Sequence, residues 1–443
     1  MPIQQLLLSF DELHSFENLD TFSQNIPVEW IESAARLADK ATIRRRRLPA
    51  EQVLWLVTGM VLFRNESIEE VARRLNICAN GLAQQDLLAR SGISEARQRC
   101  GAEPVEWLFK RTGQHWGQER YPDDDWNGLQ VFAIDGALFR TPDTPELREH
   151  FGSGNTSSQR QTPYPMMRLI ALMNVRSHVI LDAQLSPYRR SEMRLAEPFL
   201  NQIPDHSVTL LDKGFWGADF LQQIAEPDRQ RHWLIPERKG LVYTEVERYG
   251  QHDRLLEMKV SAQARKRNPA LPETWRVRAV SYEVNGKLKT VFTSLPAGQF
   301  GADQVAGLYR ERWEIELGFR DIKSSMQHNT IVLRSRKVEL IYQEVWGMLL
   351  AYNIVRREAS QAAVVHGRRP NEIRFKAACQ FIAAQLIVMA VARPASKTGS
   401  RLSELRAGLA NLFLEDRPRP SSPRTVKISK TRYPVDRNAA PLK

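Results

Sequence analysis

The residues best suited to chemistry concentrate between Tyr309 and Lys323, in the stretch YRERWEIELGFRDIK. At about 100° per helical residue, Tyr309, Arg312, Glu316 and Lys323 stand at offsets 0, 3, 7 and 14 and fall within roughly 60° of one another. Leu308, Ile315, Phe319, Ile322 and Met326 form an apolar stripe beside that face, while Glu311, Glu314 and Asp321 point elsewhere. A carboxylate with an arginine one turn before it and a lysine two turns after it suits a site for a divalent metal and a phosphodiester. Taken alone, an amphipathic helix with an ordinary Arg312–Glu316 ion pair accounts for the stretch equally well.

Two further acids change the balance. Asp135 ends a buried run, LQVFAID, before Gly136, and Asp212 ends another, SVTLLD, before Lys213 and Gly214. Open sheets gather their sites at strand ends, where side chains converge. Three carboxylates could hold two Mg²⁺ ions about 3.5–4 Å apart, a pair that activates water or a 3′-hydroxyl and steadies the departing oxyanion. Each aspartate is also an ordinary turn former before glycine. None of the nine histidines pairs with another at ligand spacing, so an imidazole site is not indicated.

The surrounding elements follow from patterning. Residues 1 to about 125 read as an all-helical N-terminal DNA-binding domain. It includes an apolar helix over Glu51–Phe63, a capping box at Ser67–Glu70 and a basic segment, Ser94–Cys100, that carries Arg97 and Arg99. Such short helices resemble a helix-turn-helix array that sets one member in a major groove, although a helical subdomain that only packs reads the same way. The run Arg44, Arg45, Arg46 and Arg47 before Leu48-Pro49 is either a solvated loop or a phosphate clamp. From 126 to 392 the pattern is α/β, a mixed sheet with helices packed on it. Within it lies a β-rich insertion at about 240–296, where Asn285-Gly286 between alternating runs marks a hairpin. Long helices follow at Val338–Ala359 and Phe375–Ala392. The remainder, 393–443, reads as a C-terminal helix and a disordered basic tail; Arg417–Lys443 has five prolines and eight basic residues against one acid.

A chain of 443 residues implies two or three domains. Its 63 Lys plus Arg against 51 Asp plus Glu give a net charge of +12, which points to a polyanionic partner, nucleic acid before a membrane surface. Three dispersed cysteines without a C-x-x-C pair fit a reducing cytoplasm and argue against a disulfide or cysteine–zinc framework. Neither a secretory signal nor a membrane span is legible.

The motifs together resemble the DDE transposases of bacterial insertion sequences, closest to the insertion-sequence-four family. Its Y-(2)-R-(3)-E-(6)-K signature is met by Tyr309, Arg312, Glu316 and Lys323, its Asp-x-Gly-Phe/Tyr motif by Asp212–Phe215, and its apolar strand with Asp-Gly by Ile134–Gly136. The long gap between second and third acids, 316 − 212 = 104, matches the family's inserted β-rich subdomain. The resemblance covers nearly the whole chain outside the tail. It implies a ribonuclease-H-like core with Asp135, Asp212 and Glu316 as catalytic metal ligands for Mg²⁺, with Mn²⁺ able to substitute. It further implies cleavage and strand transfer at terminal inverted repeats of double-stranded DNA without a covalent protein intermediate. Arg312 and Lys323 would hold end phosphates, Tyr309 would help set the DNA, and two chains would pair two ends as a homodimer, with the long helices after residue 337 as candidate partners. Such a protein works in the bacterial cytoplasm, on the nucleoid when bound. Some relatives capture a flipped base with a tryptophan; that position falls near Lys289 here, which leaves hairpin formation open. An inactive end-binding copy and another ribonuclease-H-like nuclease are the alternatives.

Overall fold

The chain alternates two packing periods. Strands with apolar residues at every second position build a sheet, and helices with apolar residues every third or fourth position cover it. The structure is a computed structural model that describes residues 26–414 apart from 39–47, 49, 76, 78–89, 123, 158–159, 162–163, 285, 329–331 and 392–397. The four-arginine run at 44–47 and the basic tail therefore lie outside the described residues.

The strands are β1 (Gln130–Arg140), β2 (Asn155–Ser157), β3 (Arg160–Gln161), β4 (Met166–Asn174), β5 (Ile180–Pro187), β6 (Ser207–Leu211), β7 (Arg231–Pro236), β8 (Tyr243–Gly250), β9 (Asp253–Lys259), β10 (Thr274–Val284) and β11 (Lys287–Thr293). Apart from the small β2–β3 ribbon they form one sheet of nine strands, in the order β5-β4-β1-β6-β7-β11-β10-β9-β8. The first half is two antiparallel pairs, β5–β4 and β4–β1, followed by two parallel pairs, β1–β6 and β6–β7. This is the mixed ribonuclease-H-like arrangement that the resemblance implies. The β-rich stretch does not stand apart from that core: β11 pairs antiparallel with β7 and prolongs the same sheet, because β7 offers an open edge. The expected hairpin is present as β10–β11, with Gly286 at φ +70 in its turn.

Alternation along the strands sorts side chains to two faces. Val131, Ala133, Ala137 and Phe139 of β1 join the core shared by α1 (Val28–Arg36), α2 (Ala50–Leu62), α3 (Ile68–Arg74), α4 (Arg90–Cys100) and α5 (Glu103–Trp116). Phe132 and Ile134 face the opposite way. There they meet Leu195 and Phe199, on and just after the short helix of Glu192–Ala196, and Leu221 in the helix of Ala218–Ile224. With α6 as Pro145–Phe151, these two helices are α7 and α8, and Ala262–Arg267 is α9.

Toward the carboxyl end come α10 (Ala302–Tyr309), α11 (Trp313–Asp321), α12 (Val338–Val365), α13 (Phe375–Val391) and α14 (Thr398–Leu409). Helix α12 is the axis of the first face. Its residues are buried along most of its length, against α2 and α5 among others. Its surfaces are therefore occupied by its own chain, which removes it as the dimer surface expected from sequence. Residues up to Phe413 make up one compact unit, so the amino-terminal helices pack with the sheet instead of standing off on a linker. Among the described residues, no helix is long and apolar enough to cross a membrane.

Candidate active site

The sheet register brings the first two acids together. Strands β1 and β6 pair in parallel up to Ile134 with Leu211, so Asp135 and Asp212 follow directly on adjacent strands. Parity then puts both on one face: Val131, Ala133 and Asp135 alternate along β1, and Val208, Leu210 and Asp212 along β6. Asp212 leaves the strand into a 3-10 turn, Lys213–Phe215, that its side chain caps by accepting from the Gly214 N–H at 3.5 Å. Asp135 is placed differently from expectation. It sits inside β1, because pairing with β4 carries the strand on to Arg140; only the β6 partner ends beside it.

The third acid arrives on the same face. Helix α11 packs against β1 with Ile315 and Phe319 in the shared core, and Gly318 permits close approach to β4 and α12. A Cβ at Gly318 would stand 3.0 Å from both Met173 Sδ and the Tyr352 hydroxyl. The five residues of the expected apolar stripe are all buried. The three acids read as pointing elsewhere are tied off: Glu311 to Arg176, Glu314 to His178 and Asp321 to Arg356. Glu316 instead accepts from Arg312 at 2.6 Å, and the same guanidinium reaches Asp135 at 3.5 Å.

The helix is not wound uniformly. A 3-10 turn over Arg310–Arg312 joins α10 to α11, and a π turn over Ile322–Met326 follows, closed by Gln327 N–H to Ile322 O at 2.9 Å. The π turn carries Lys323, whose ammonium lies 5.8 Å from the Phe139 ring centroid on the face of β1 that holds Asp135. Insertions of this kind recur at functional sites because they re-aim side chains. Tyr309 donates its hydroxyl to the Leu211 carbonyl at 3.3 Å, one residue before Asp212. It therefore braces the strand end as well as lining the site.

The proximity of these groups perturbs their titration. Burial pushes the Asp135 carboxyl up to about 6; the Gly136 N–H and Arg312 oppose this, and the charges of Glu316 and Asp212 reinforce it. Burial lowers the Lys323 ammonium, helped by neighbouring Arg140 and opposed by Asp135. The donor set is oxygen only, which suits a hard divalent cation. In this arrangement Arg312 holds two of the carboxylates, and among the described residues no three acidic, His or Cys side chains stand close enough to grip one ion.

Arg97 departs from its expected role. It is 6% exposed, donates to Gln343 Oε1 at 2.9 Å and to Ser335 Oγ at 3.2 Å, and so serves the interior, not DNA bases. The spacing Ile93, Arg97, Cys100 on the buried face of α4 was the available signal. Arg99 keeps about a third of its side chain exposed, 4.0 Å from Glu95. Sequence reading also missed Glu344. It is fully enclosed, pairs with Arg64 and accepts the backbone N–H groups of Arg334 and Ser335, fastening the segment that leaves the π turn to α12 and the amino-terminal helices.

Residues 126–354 match the family described as Transposase DDE domain, and residues 16–110 match Insertion element 4 transposase N-terminal. The chain belongs to the DDE transposases. It is 35% identical over 442 residues, 98% of each chain, to the Transposase InsG for insertion sequence element IS4 of Escherichia coli strain K12. It is also 50% identical over 249 residues to InsZ of the same organism, covering 56% of this chain and 82% of InsZ. A cryo-EM structure of the piggyBac transposase synaptic complex with hairpin DNA aligns with a TM-score of 0.44 and 11% identity, over 90% of this chain and 86% of that one. The transposase is thus an enzyme that acts on DNA with a divalent metal ion.

Proposed function

We propose that Asp135, Asp212 and Glu316 are the metal-binding acids of a cut-and-paste reaction at the terminal inverted repeats of an insertion sequence. The reading rests above all on the Ile134–Leu211 register, which sets two acids side by side on the face that α11 covers. The donor set fits two Mg²⁺ ions, with Mn²⁺ as a substitute, because all the ligands are carboxylate oxygens on adjacent elements. Such ions activate the attacking water or 3′-hydroxyl and stabilise the oxygen leaving phosphorus. Arg312 releases the acids it holds and turns to the phosphates of the transposon end, as a planar guanidinium readily does. Lys323 contributes a point charge to the same strand, and Tyr309 fixes the Asp212 loop and borders the DNA. Arg99 and the run Arg44 to Arg47 supply amino-terminal phosphate contacts. Two chains bring two ends together as a homodimer through surfaces other than α12, on the bacterial nucleoid.

The test is cleavage of duplexes carrying the inverted repeats in Mg²⁺. Asp135→Ala, Asp212→Ala and Glu316→Ala should each lose at least about 10³-fold in rate while still binding the ends, the scale on which catalytic electrostatic groups are felt. Undiminished cleavage by all three variants would end the proposal.

A further inference from the structure

Most arginines near an acid in this molecule are spent on it: Arg248 pairs with Glu245, Arg229 with Asp205, Arg148 with Asp143 and Arg73 with Glu70. A different arrangement borders the acids. The segment that leaves β5 carries Arg189, Arg190 and Arg194, and Lys213 follows Asp212; all four are exposed. None has a carboxylate within ion-pair distance among the described residues. Glu192, the acid between them, stays partly exposed and pairs with Arg168 instead, and Glu197 follows beyond Arg194. Four exposed cationic side chains without an ion-pair partner thus stand near one another among the described residues.

Their position follows from three contacts. Tyr188 N–H bonds to Phe151 O at 3.0 Å and anchors the start of the segment. A Cβ at Gly136 would lie 3.3 Å from Glu192 Oε1, which places α7 beside the residue after Asp135. A Cβ at Gly217 would lie 3.5 Å from Met193 Cε, which places it beside the loop after Asp212 as well. Helix α7 packs on the sheet face of Phe132 and Ile134, whereas α11 with Arg312 and Lys323 packs on the face of Val131 and Ala133. The point where β6 ends beside β1 therefore lies between α11 on one face of the sheet and α7, with Arg194, on the other, while Arg189 stands beside Gly152 at the margin.

We propose that Arg189, Arg190, Arg194 and Lys213 form a second phosphate-binding rim, which grips the flanking DNA on the far side of the scissile bond from Arg312 and Lys323. A strand that crosses the three acids must run on in both directions, and one cationic face can follow only one of them. The rim supplies the other. Unpaired arginines on a short rigid segment suit a phosphodiester backbone, which offers one charge every few ångströms and no fixed sequence. This inference rests on the reading of Asp135, Asp212 and Glu316 given above.

The experiment compares two duplexes that carry the same inverted repeat, one ending at the cleavage position and one continuing into about 15 base pairs of flank. The variant Arg189→Ala/Arg190→Ala/Arg194→Ala leaves Lys213 untouched because it adjoins Asp212. It should bind the pre-cut end like the parent and lose about tenfold or more on the flanked duplex. The slope of log affinity against log salt on the flanked duplex should fall by roughly 2.7 for three phosphates released. The triple lysine variant, which keeps the charge, should recover the slope. Equal losses on both duplexes, no loss on either, or no recovery by lysine would overturn the rim while cleavage by the parent leaves the acid assignment standing. Failure of the parent to cut the repeat would overturn both.

Discussion

Asp321→Ala tests how the helix bearing Glu316 is held. Asp321 accepts from Arg356 at 2.6 Å, and Arg356 also donates to the Tyr352 hydroxyl at 3.1 Å while lying 4.5 Å from the Phe375 ring centroid. The arginine side chain is only 2% exposed, so without Asp321 it becomes a buried charge with no counter-ion. Breaking such a pair from one side costs about 3–5 kcal/mol. Asp321 itself keeps 17% of its side chain exposed, so water partly compensates and the lower end, about 3 kcal/mol, is expected. That is a large part of the roughly 5–15 kcal/mol by which domains are stable. The double variant Asp321→Leu/Arg356→Met removes both charges and should return to within about 1–2 kcal/mol of the parent. Urea titration followed by tryptophan fluorescence measures each. A single variant that costs under about 1 kcal/mol, or a double variant no better than the single, would refute the reasoning.

Other outcomes follow from the same geometry. Tyr309→Phe deletes only the hydroxyl bonded to Leu211 O and should cost about 0.5–1.5 kcal/mol in the urea titration, together with a slower cleavage rate because the Asp212 strand end loosens. Arg97→Ala strands Gln343 and Ser335 and should cost about 1–3 kcal/mol, with end-sequence preference in a binding competition unaltered. Burial lowers the His232 imidazole below 6.5, so the unfolded chain takes up the proton first. Stability should therefore fall as pH drops from about 6.5 toward that lower folded value, and His232→Phe should flatten this part of a melting-temperature profile against pH.

Much of the site was legible because it is written in local periodicity. Apolar runs ending in Asp-Gly or Asp-Lys-Gly located β1 and β6, and helical spacing sorted Glu316 from Glu311, Glu314 and Asp321 correctly. What spacing does not contain is long-range pairing. Nothing in LQVFAID tells that β4 carries β1 past Asp135 to Arg140, nor that β11 docks on β7 so that the late strands extend the sheet. A constant 100° step likewise hides the π turn that carries Lys323, since the fifth-residue bond depends on what the turn packs against. Arg97 differs for another reason: a basic segment on a short helix suggests a DNA-facing role, whereas the helix places Arg97 with Ile93 and Cys100 on its buried face.

The phase of α11 is where folding and reaction meet. Glu311, Glu314 and Asp321 each need a partner that is fixed elsewhere: Arg176 and His178, at and after the β4–β5 turn, and Arg356 on α12. Those partners sit on different elements, so a rotation of one residue, about 100°, would break all three pairs and lift Ile315 and Phe319 out of the core. Only one phase satisfies every constraint, and in that phase Glu316 shares Arg312 with Asp135 of β1, beside the end of β6. The side chains that pair away from the site thus determine which carboxylate faces it. Substitution of Arg176, His178 or Arg356 should accordingly reach the reaction through the position of Glu316, whereas Arg312 acts on it directly.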